Sequence, residues 1–516
     1  MRKTIPALLL IAVLLISLAL RLWGSGFGLP YTRYHPDEHA LVDRAAAILW
    51  TGDWNLHRFN YPPFYAYLQA GGYAAYFLYG AARGTWEQIM PFPIPQYYRV
   101  GRWMTALAGT LTVLVVYLAG RTLHRRRTGL LAAALLGGNY LHIIHSHYAT
   151  FDVMVGLLVA LTYLFSELLR TRRQTRWYFL AGLCAGLAGA TKYNGALVVI
   201  LPLLAHVLAA PWGEWGWLTG SLFVALGGFL LGFFGGNPFA LGNLPDFLNG
   251  LAQVLHHYGT EQPGFEGKGN WRWYLTIFAT SADALAVAVG AAGLLVLPVR
   301  RWKKGLLLAL FPALYFLLVS GFTVRFERNM VPLLPFLALG GGWLLDAGSE
   351  WAARRFHRAR SAPLLAAVAA AVILALPLLA AVRFDAILSR TDHRQIAGRW
   401  VEENIPPGSK IAIEHYAIPF DHTPYRVEDI IRLSDHDLAW YRQQGFDVVI
   451  VSDGVWPLLQ QQARFYPDQL AVYDDLAAQG TLLAEFIPDP PPLVVAGYPS
   501  VAVYHFAPVR IYRLED

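Results

Sequence analysis

Apolar residues come in membrane-length blocks along most of this chain. Runs close to the roughly 20 residues that cross a bilayer fall at 5–22, 100–120, 129–147, 152–169, 177–191, 194–210, 218–236, 274–298, 305–323, 330–347 and 362–382. A further stretch, FYAYLQAGGYAAYFLYGAA at 64–82, is rich in Tyr and Gly, which suits a helix lying at the membrane interface. From about Phe384 the pattern changes, and no later run is long enough to span. There HRQIAGRWVEEN, capped by Thr391 or Asp392, predicts a helix through Asn404, and LAWYRQQGF predicts another closed by Gly445. KIAIEHY and DVVIVSD read as strands, the second buried, and RIYRLED as a last strand. The fold class is therefore mainly α: a polytopic membrane helix bundle followed by a small C-terminal α/β domain.

Composition agrees. The 516 residues are 56% hydrophobic and 15% charged, with a mean hydropathy of +0.38, whereas soluble domains are about 25% charged. Cys184 is the one cysteine, so intrachain disulfides and cysteine-based metal sites are excluded. The net charge of +7 does not indicate nucleic acid. Eighteen of the 41 basic residues sit in five short clusters (Arg2 and Lys3, 121–127, 170–176, 300–304, 354–360), each bordering apolar blocks. That is the pattern of cytoplasmic loops.

With Arg2 and Lys3 inside, all five clusters fall inside only if 64–82 does not span. The expected topology is then about eleven spans, N-terminus in the cytoplasm, C-terminus outside the cell membrane. The first run, 5–22, is longer than a signal-peptide core and RLWGSGFG offers no A-x-A site, so it reads as a retained span. Two domains follow: 1–383, with a long first outer loop at 23–99, and an extracytoplasmic domain at 384–516.

This threading gathers the chemically interesting residues on one face. Asp37 and Glu38, in RYHPDEHALVDRA, fall outside with His147, Asp152, Lys192, the loop 237–273, Arg325, Glu327 and Arg328. Carboxylates there can act as a general base toward a hydroxyl, and cations can stabilise a leaving phosphate. Local pattern also allows Asp37 to cap a helix running through Ala47, with Pro36 just before it. Arg99 and Arg102 read as membrane anchors. His145 and His147 with Asp152 suggest a metal, but side chains two apart on a helix point to different faces, which favours a hydrogen-bonding role for His147. His256 and His257 precede TEQPGFEGKGN, a glycine-rich loop that would order on substrate binding.

The order of features resembles a known family. An acidic pair in a long outer loop, then NYPPFYAYL (60–68), RVGRWMTALAGTLTVLVVYLAGRTLHRRRTGLLAAALL (99–136), HSHYATFDVMVGLLVALTYL (145–164), LAGLCAGLAGATKYNGALVVI (180–200) and RFERNMVPLLPFLAL (325–339) together look like the membrane glycosyltransferases of the C-type fold. Within these the chain is similar to the lipid-phosphate-sugar-dependent group, glycosyltransferase family 39-like, which includes protein O-mannosyltransferases and the transferase that places aminoarabinose on lipid A. The resemblance covers about residues 5 to 347 and not the tail.

It implies a polyprenyl-phosphate sugar as donor, a protein, lipid or glycan acceptor, and inverting transfer at the outer face of the cell envelope. It maps the base onto Asp37, with Glu38 as neighbour or alternate, and a second-loop acid onto Asp152. By their places at the outer ends of spans, Lys192, Arg325 and Arg328 are candidate cations for the donor phosphate or else membrane-surface anchors and ion pairs, and His147 would hydrogen-bond the sugar or a neighbouring loop. Asp152 would orient the sugar or hold, with Asp37, a divalent cation, magnesium or manganese. In relatives that modify lipid A a Lys precedes the two prolines; here that position is Tyr61, so another cation must meet the phosphate. The rival readings are a transporter or flippase of lipid-linked sugars, which calls for mid-span charges and internal symmetry, and a non-catalytic surface receptor.

Overall fold

A computed structural model describes residues 5–32, 34–86, 94–209, 218–260, 270–415, 418–452, 463–488, 498–499, 505 and 507–514. The glycine-rich loop expected to order on substrate binding lies mostly outside the described residues, as do Arg2 and Lys3.

Every apolar block is helical. The helices are α1 (Ile5–Leu22), α2 (Pro36–Thr51), α3 (Phe64–Ala82), α4 (Ile94–Leu123), α5 (Arg126–Gly137), α6 (Tyr140–His145), α7 (Asp152–Arg172), α8 (Thr175–Thr191), α9 (Ile200–Ala209), α10 (Leu218–Gly236), α11 (Phe239–Gly242), α12 (Leu244–Gly259), α13 (Trp271–Thr280), α14 (Ala284–Arg300), α15 (Trp302–Ser320), α16 (Leu334–Arg355) and α17 (Ala362–Leu388). Among the described residues, five helical stretches are long and apolar enough to cross a membrane, with four shorter apolar helices beside them; α3 is in neither group.

Two expected single spans are broken, for one shared reason. The block 129–147 divides into α5 and α6 at Gly138 and Asn139, and the block 274–298 divides into α13 and α14 around Ser281 to Asp283. Asp283 leaves the helical path to accept hydrogen bonds from the amides of Tyr140 and Leu141, both at 2.9 Å. These amides open α6 and have no partner within their own helix. Asn139 adds an N-cap by accepting from the His142 amide. The block 194–210 likewise begins as a tight 3-10 turn at 193–199 before continuing as α9.

Glycine explains why 177–191 is weakly hydrophobic. On α8, a Cβ at Gly182 or Gly186 would collide with the backbone carbonyls of Ala225 and Phe229 on α10. Gly228 and Gly232 of α10 meet α8 backbone in the same way. Small residues let the two helices approach, which drives association where lipid removes the hydrophobic incentive.

At the basic end of the bundle, HRRR does structural work. The buried Asp346 of α16 accepts from Arg125 at 2.6 and 2.7 Å and from the Thr128 hydroxyl at 2.6 Å, and Arg127 also pairs with it.

The tail begins at α18 (His393–Asn404), whose Asp392 cap accepts from the Arg394 amide at 2.9 Å. Strands β1 (Lys410–Glu414), β2 (Arg426–Ile430), β3 (Val448–Ser452), β4 (Thr481–Phe486) and β5 (Val509–Arg513) form one sheet in the order β2-β1-β3-β5-β4. The first three are mutually parallel where they pair; β5 runs antiparallel to β3 and to β4. Helices α19 (Leu438–Gln443) and α20 (Pro467–Gln479) complete it. One face of the sheet (Ile411, Ile413, Val448, Ile450, Ile511) packs on Ala397 and Val401 of α18. The other (Ala412, Val449, Val451, Tyr512) packs on Tyr441 and Leu476. Burial on both faces is why DVVIVSD reads as a continuous apolar run.

The tail sits against the end of the bundle that carries Asp37. Gln395 donates to the Gly28 carbonyl at 2.6 Å, and the Tyr498 hydroxyl donates to Asp283 at 2.8 Å.

Candidate active site

Helix α2 presents the acidic pair, but its cap differs from expectation. His35, not Asp37, is the N-cap: its Nδ1 accepts from the Asp37 amide at 3.2 Å, Pro36 opens the helix, and the helix continues to Thr51. Gly52, at φ 72, closes it in the left-handed conformation that glycine adopts without strain. Burial, reinforced by the Arg328 charge, drives the His35 imidazole well below its ordinary range, so it stays neutral and can accept. With the cap supplied by His35, the Asp37 carboxylate is left to face the site. Its negative charge in the first turn also complements the helix dipole.

The two acids part company. Asp37 is partly exposed and its Oδ2 meets Arg328 Nη1 at 2.5 Å. Glu38 is fully buried: Arg102 grips it through Nε at 2.8 Å and Nη2 at 2.7 Å, and the Ala149 amide donates to it at 2.8 Å. Arg102 is also fully buried, donates to the carbonyls of Ser25 and Phe27, and lies 3.6 Å from the Phe27 ring centroid. Arg102 is thus not a membrane anchor. It clamps the first loop onto α4, and Glu38, expected as an alternate base, has its oxygens occupied by the clamp. Arg99, by contrast, is hydrogen-bonded only locally in the described contacts, to Gln96.

A second cluster lies on α7, the start of the 3-10 turn after α8, and the segment before α16. Asp152 is buried and accepts from Lys192 Nζ at 2.8 Å, and Lys192 reaches Asn329 Oδ1 at 3.0 Å. Lys192 stands where α8 breaks, and opens onto a cavity of about 730 Å³. Tyr61, Tyr193, Asn194, His257 and Tyr258 also line it, and the rest of the wall is largely apolar, from α12 and α15. Tyr61 packs on Phe151, with ring centroids 5.6 Å apart, and senses the charges of both Asp37 and Arg328.

His145 is buried inside the charge field of Asp37, Asp152, Lys192 and Arg328, and its Nε2 has no hydrogen-bond partner among the described residues. Sequence reasoning singled out His147 instead. His147 lies beneath the site: Nδ1 contacts the Ile143 carbonyl and Nε2 the Trp23 carbonyl, both at 2.9 Å, and Asp385 lies 3.3 Å away. Its ring nitrogens are committed to bundle packing, which corrects its assignment to the donor. Arg325 also departs from its expected pairing with Arg328. It donates to Asn270 at 2.9 Å and stacks on Trp273, while Arg328 turns to Asp37.

The donor set does not fit a divalent cation shared by Asp37 and Asp152. Each carboxylate already faces its own cation, Arg328 and Lys192, and no third His, Cys, Asp or Glu joins them as a ligand group among the described residues. Hard cations such as magnesium call for several oxygen ligands.

Comparison with known proteins bears on the fold. Residues 97–235 match the family described as dolichyl-phosphate-mannose-protein mannosyltransferase. That segment holds Asp152 and Lys192 but neither Asp37 nor Arg328. No curated protein sequence matches the chain significantly. Among solved structures, ArnT from Cupriavidus metallidurans in the apo state is 15% identical over 99% of this chain and 98% of its own, with a TM-score of 0.56. The same protein bound to undecaprenyl phosphate is 16% identical over 98% and 97%, at 0.54. The oligosaccharyltransferase AglB from Archaeoglobus fulgidus, in complex with an inhibitory peptide and a dolichol-phosphate, is 14% identical over 94% of this chain and 74% of its own, at 0.55. At these identities the shared property is the fold, and the fold is the C-type architecture expected from the motif order.

Proposed function

We propose that the chain is an integral-membrane glycosyltransferase that moves a sugar from a polyprenyl-phosphate donor to an acceptor hydroxyl or amine. The observation that carries this reading is one arrangement: a partly exposed Asp37 against Arg328, with Lys192 at the mouth of a largely apolar 730 Å³ cavity. A lipid phosphate needs an apolar groove for its chain and cations for its head. The binding of undecaprenyl phosphate by ArnT and of dolichol-phosphate by AglB supports the same ligand class here.

The chemistry follows from the residues. Asp37 takes the proton from the acceptor as its oxygen or nitrogen bonds to the anomeric carbon. The bond from that carbon to the phosphate oxygen breaks, and the phosphate leaves with the electron pair. Lys192 and Arg328 meet the charge that develops on it. Arg328 suits this role because a planar guanidinium can hold Asp37 with one edge and phosphate with another. A single displacement with one base inverts the anomeric centre. Asp152 holds Lys192 in place, and Glu38, through Arg102, holds the helix that carries the base. The basic end of the bundle faces the cytoplasm, so the site and the tail face outward.

The test is to incubate the purified chain in lipid with polyprenyl-phosphate mannose, glucose or aminoarabinose and follow release of the lipid phosphate. Release by the wild type that is lost in Asp37→Asn supports the reading. Equal release by both proteins moves the base elsewhere.

A further inference from the structure

A second cavity lies on the other flank of α2. It measures about 380 Å³, within the range of small-ligand sites. One wall is the first loop, through Tyr31, Thr32, Tyr34 and His39; the other is the tail, at the carboxyl ends of the parallel strands β1 and β2. Side chains two apart on a helix diverge by about 200°. Asp37 therefore faces Arg328 and the donor side, while His39 faces this second cavity, and only the tip of α2 separates them.

The lining chemistry is specific. Tyr31 is 39% exposed, and Phe420, whose ring centroid lies 4.6 Å from the tilted His422 ring, supplies a second aromatic surface. Asp429 offers an exposed carboxylate, and His39 Nδ1 is buried with no hydrogen-bond partner among the described residues. The other charges are already balanced. Arg394 is held by Asp392 at 2.7 Å. Glu414 is occupied by the amides of Leu433 and Ser452 and by the Tyr473 hydroxyl. Among the described residues that line the cavity there is no surplus positive charge for a phosphate or an acidic group. Aromatic faces beside a carboxylate and imidazoles match a neutral, hydroxyl-rich ligand, whose C–H faces stack and whose hydroxyls donate.

We infer that this cavity is the acceptor subsite and that it takes a neutral sugar-sized group of the acceptor. This rests on the proposed transferase reading. The tail closes the subsite, and an acceptor seated there reaches Asp37 around the tip of α2. The function of the tail is then to build half of the acceptor site.

The experiment uses the full chain in nanodiscs, without donor. Binding of methyl α-mannoside, methyl β-glucoside and maltose is followed by saturation-transfer NMR, with inorganic phosphate as the anionic comparison by phosphorus NMR. The expected result is saturation transfer to at least one glycoside, an affinity about tenfold weaker in Asp429→Asn, the size expected for a lost hydrogen bond to a charged group, and a weaker affinity also in Tyr31→Ala, which removes a stacking face. Both side chains are exposed, and an unchanged thermal midpoint certifies the fold of each variant. No glycoside transfer, glycoside binding indifferent to both variants, or preferential binding of phosphate would each overturn the inference. The lipid-phosphate release assay reads the transferase proposal separately: release without glycoside binding sinks this inference alone, whereas binding without release sinks the transferase reading and, with it, the acceptor role of the cavity.

Discussion

The Tyr148 hydroxyl and His505 Nε2 share a 2.8 Å hydrogen bond, and their rings stack with an 8° angle between planes. This contact joins the tail to the loop between α6 and α7. It continues into the site, because Tyr148 packs 4.1 Å from His35, the residue that caps the Asp37 helix. His505 is also enclosed by Phe27 and Phe384, with centroids 5.2 and 5.6 Å away. The tail is therefore fastened to the bundle next to the helix that carries Asp37.

Tyr148→Phe should loosen that fastening without emptying the ring site. A hydrogen bond contributes about 0.5–1.5 kcal/mol net, so the undocked population should rise about two- to twelvefold. Hydrogen exchange of the tail residues near β5 would show it. Exchange identical to wild type would mean that this hydrogen bond adds nothing to the stacking and to the Gln395 and Tyr498 contacts that also hold the tail.

Glu38→Gln should be among the most destabilising single changes in the chain. It leaves the Arg102 guanidinium fully buried with no counter-ion, and breaking such a pair by removing one partner costs about 3–5 kcal/mol. The thermal midpoint in detergent should fall sharply. Replacing both partners, Glu38→Gln with Arg102→Met, should recover much of the loss. If the single variant were as stable as wild type but inactive, Glu38 would be a reacting group after all.

Much of this was legible in the sequence, and the misses have physical causes. Block length and charge placement revealed the helices, because desolvation cost forbids anything else in lipid. The breaks at Asn139 and around Ser281 to Asp283 were not legible, since each serves the other across more than 140 residues of chain. The clamp between Glu38 and Arg102 was hidden for the same reason: a charge at the end of a span looks alike whether it anchors or pairs. In the tail, KIAIEHY and DVVIVSD announced themselves by burial. RVEDI, an exposed edge strand, carries no alternating apolar signal, and the sequence reading passed over it. At the site, Asp37 stood out by motif order, while His145 lost to His147 because spacing cannot tell which ring is already committed.

Acid should weaken the tail before it unfolds the bundle. Burial alone would raise the Asp392 carboxyl, but the Arg394 guanidinium outweighs it and holds Asp392 at about 2. An unfolded Asp titrates near about 3.9. Because the folded value is the lower one, the stabilisation is complete above about pH 4 and is lost as pH falls from there through about 2. It amounts to about 2–3 kcal/mol at neutral pH. Monitored by tail hydrogen exchange, Asp392→Asn should be less stable at pH 7 and should show a flatter acid response below pH 4. An unchanged acid profile would place the titrating group elsewhere.

Lys192 separates donor binding from chemistry. It is the cation at the mouth of the apolar cavity, and Asp152 and Asn329 fix its position. If it stabilises the leaving phosphate, its contribution grows as the bond to the anomeric carbon breaks, so the loss should fall mainly on turnover. Lys192→Gln keeps a hydrogen-bond donor and most of the side-chain length but removes the charge. Its kcat should drop about 100- to 1000-fold, the range seen when one preorganised electrostatic contact is removed. The KM for the lipid donor should change much less, because on that reading the largely apolar cavity wall would still hold the polyprenyl chain. Asp152→Asn should produce a smaller fall in kcat, since it removes the partner that orients the ammonium and leaves the ammonium itself. If both variants instead raised KM and spared kcat, Lys192 would be an anchor for the bound lipid, and the charge on the leaving group would rest on Arg328 alone.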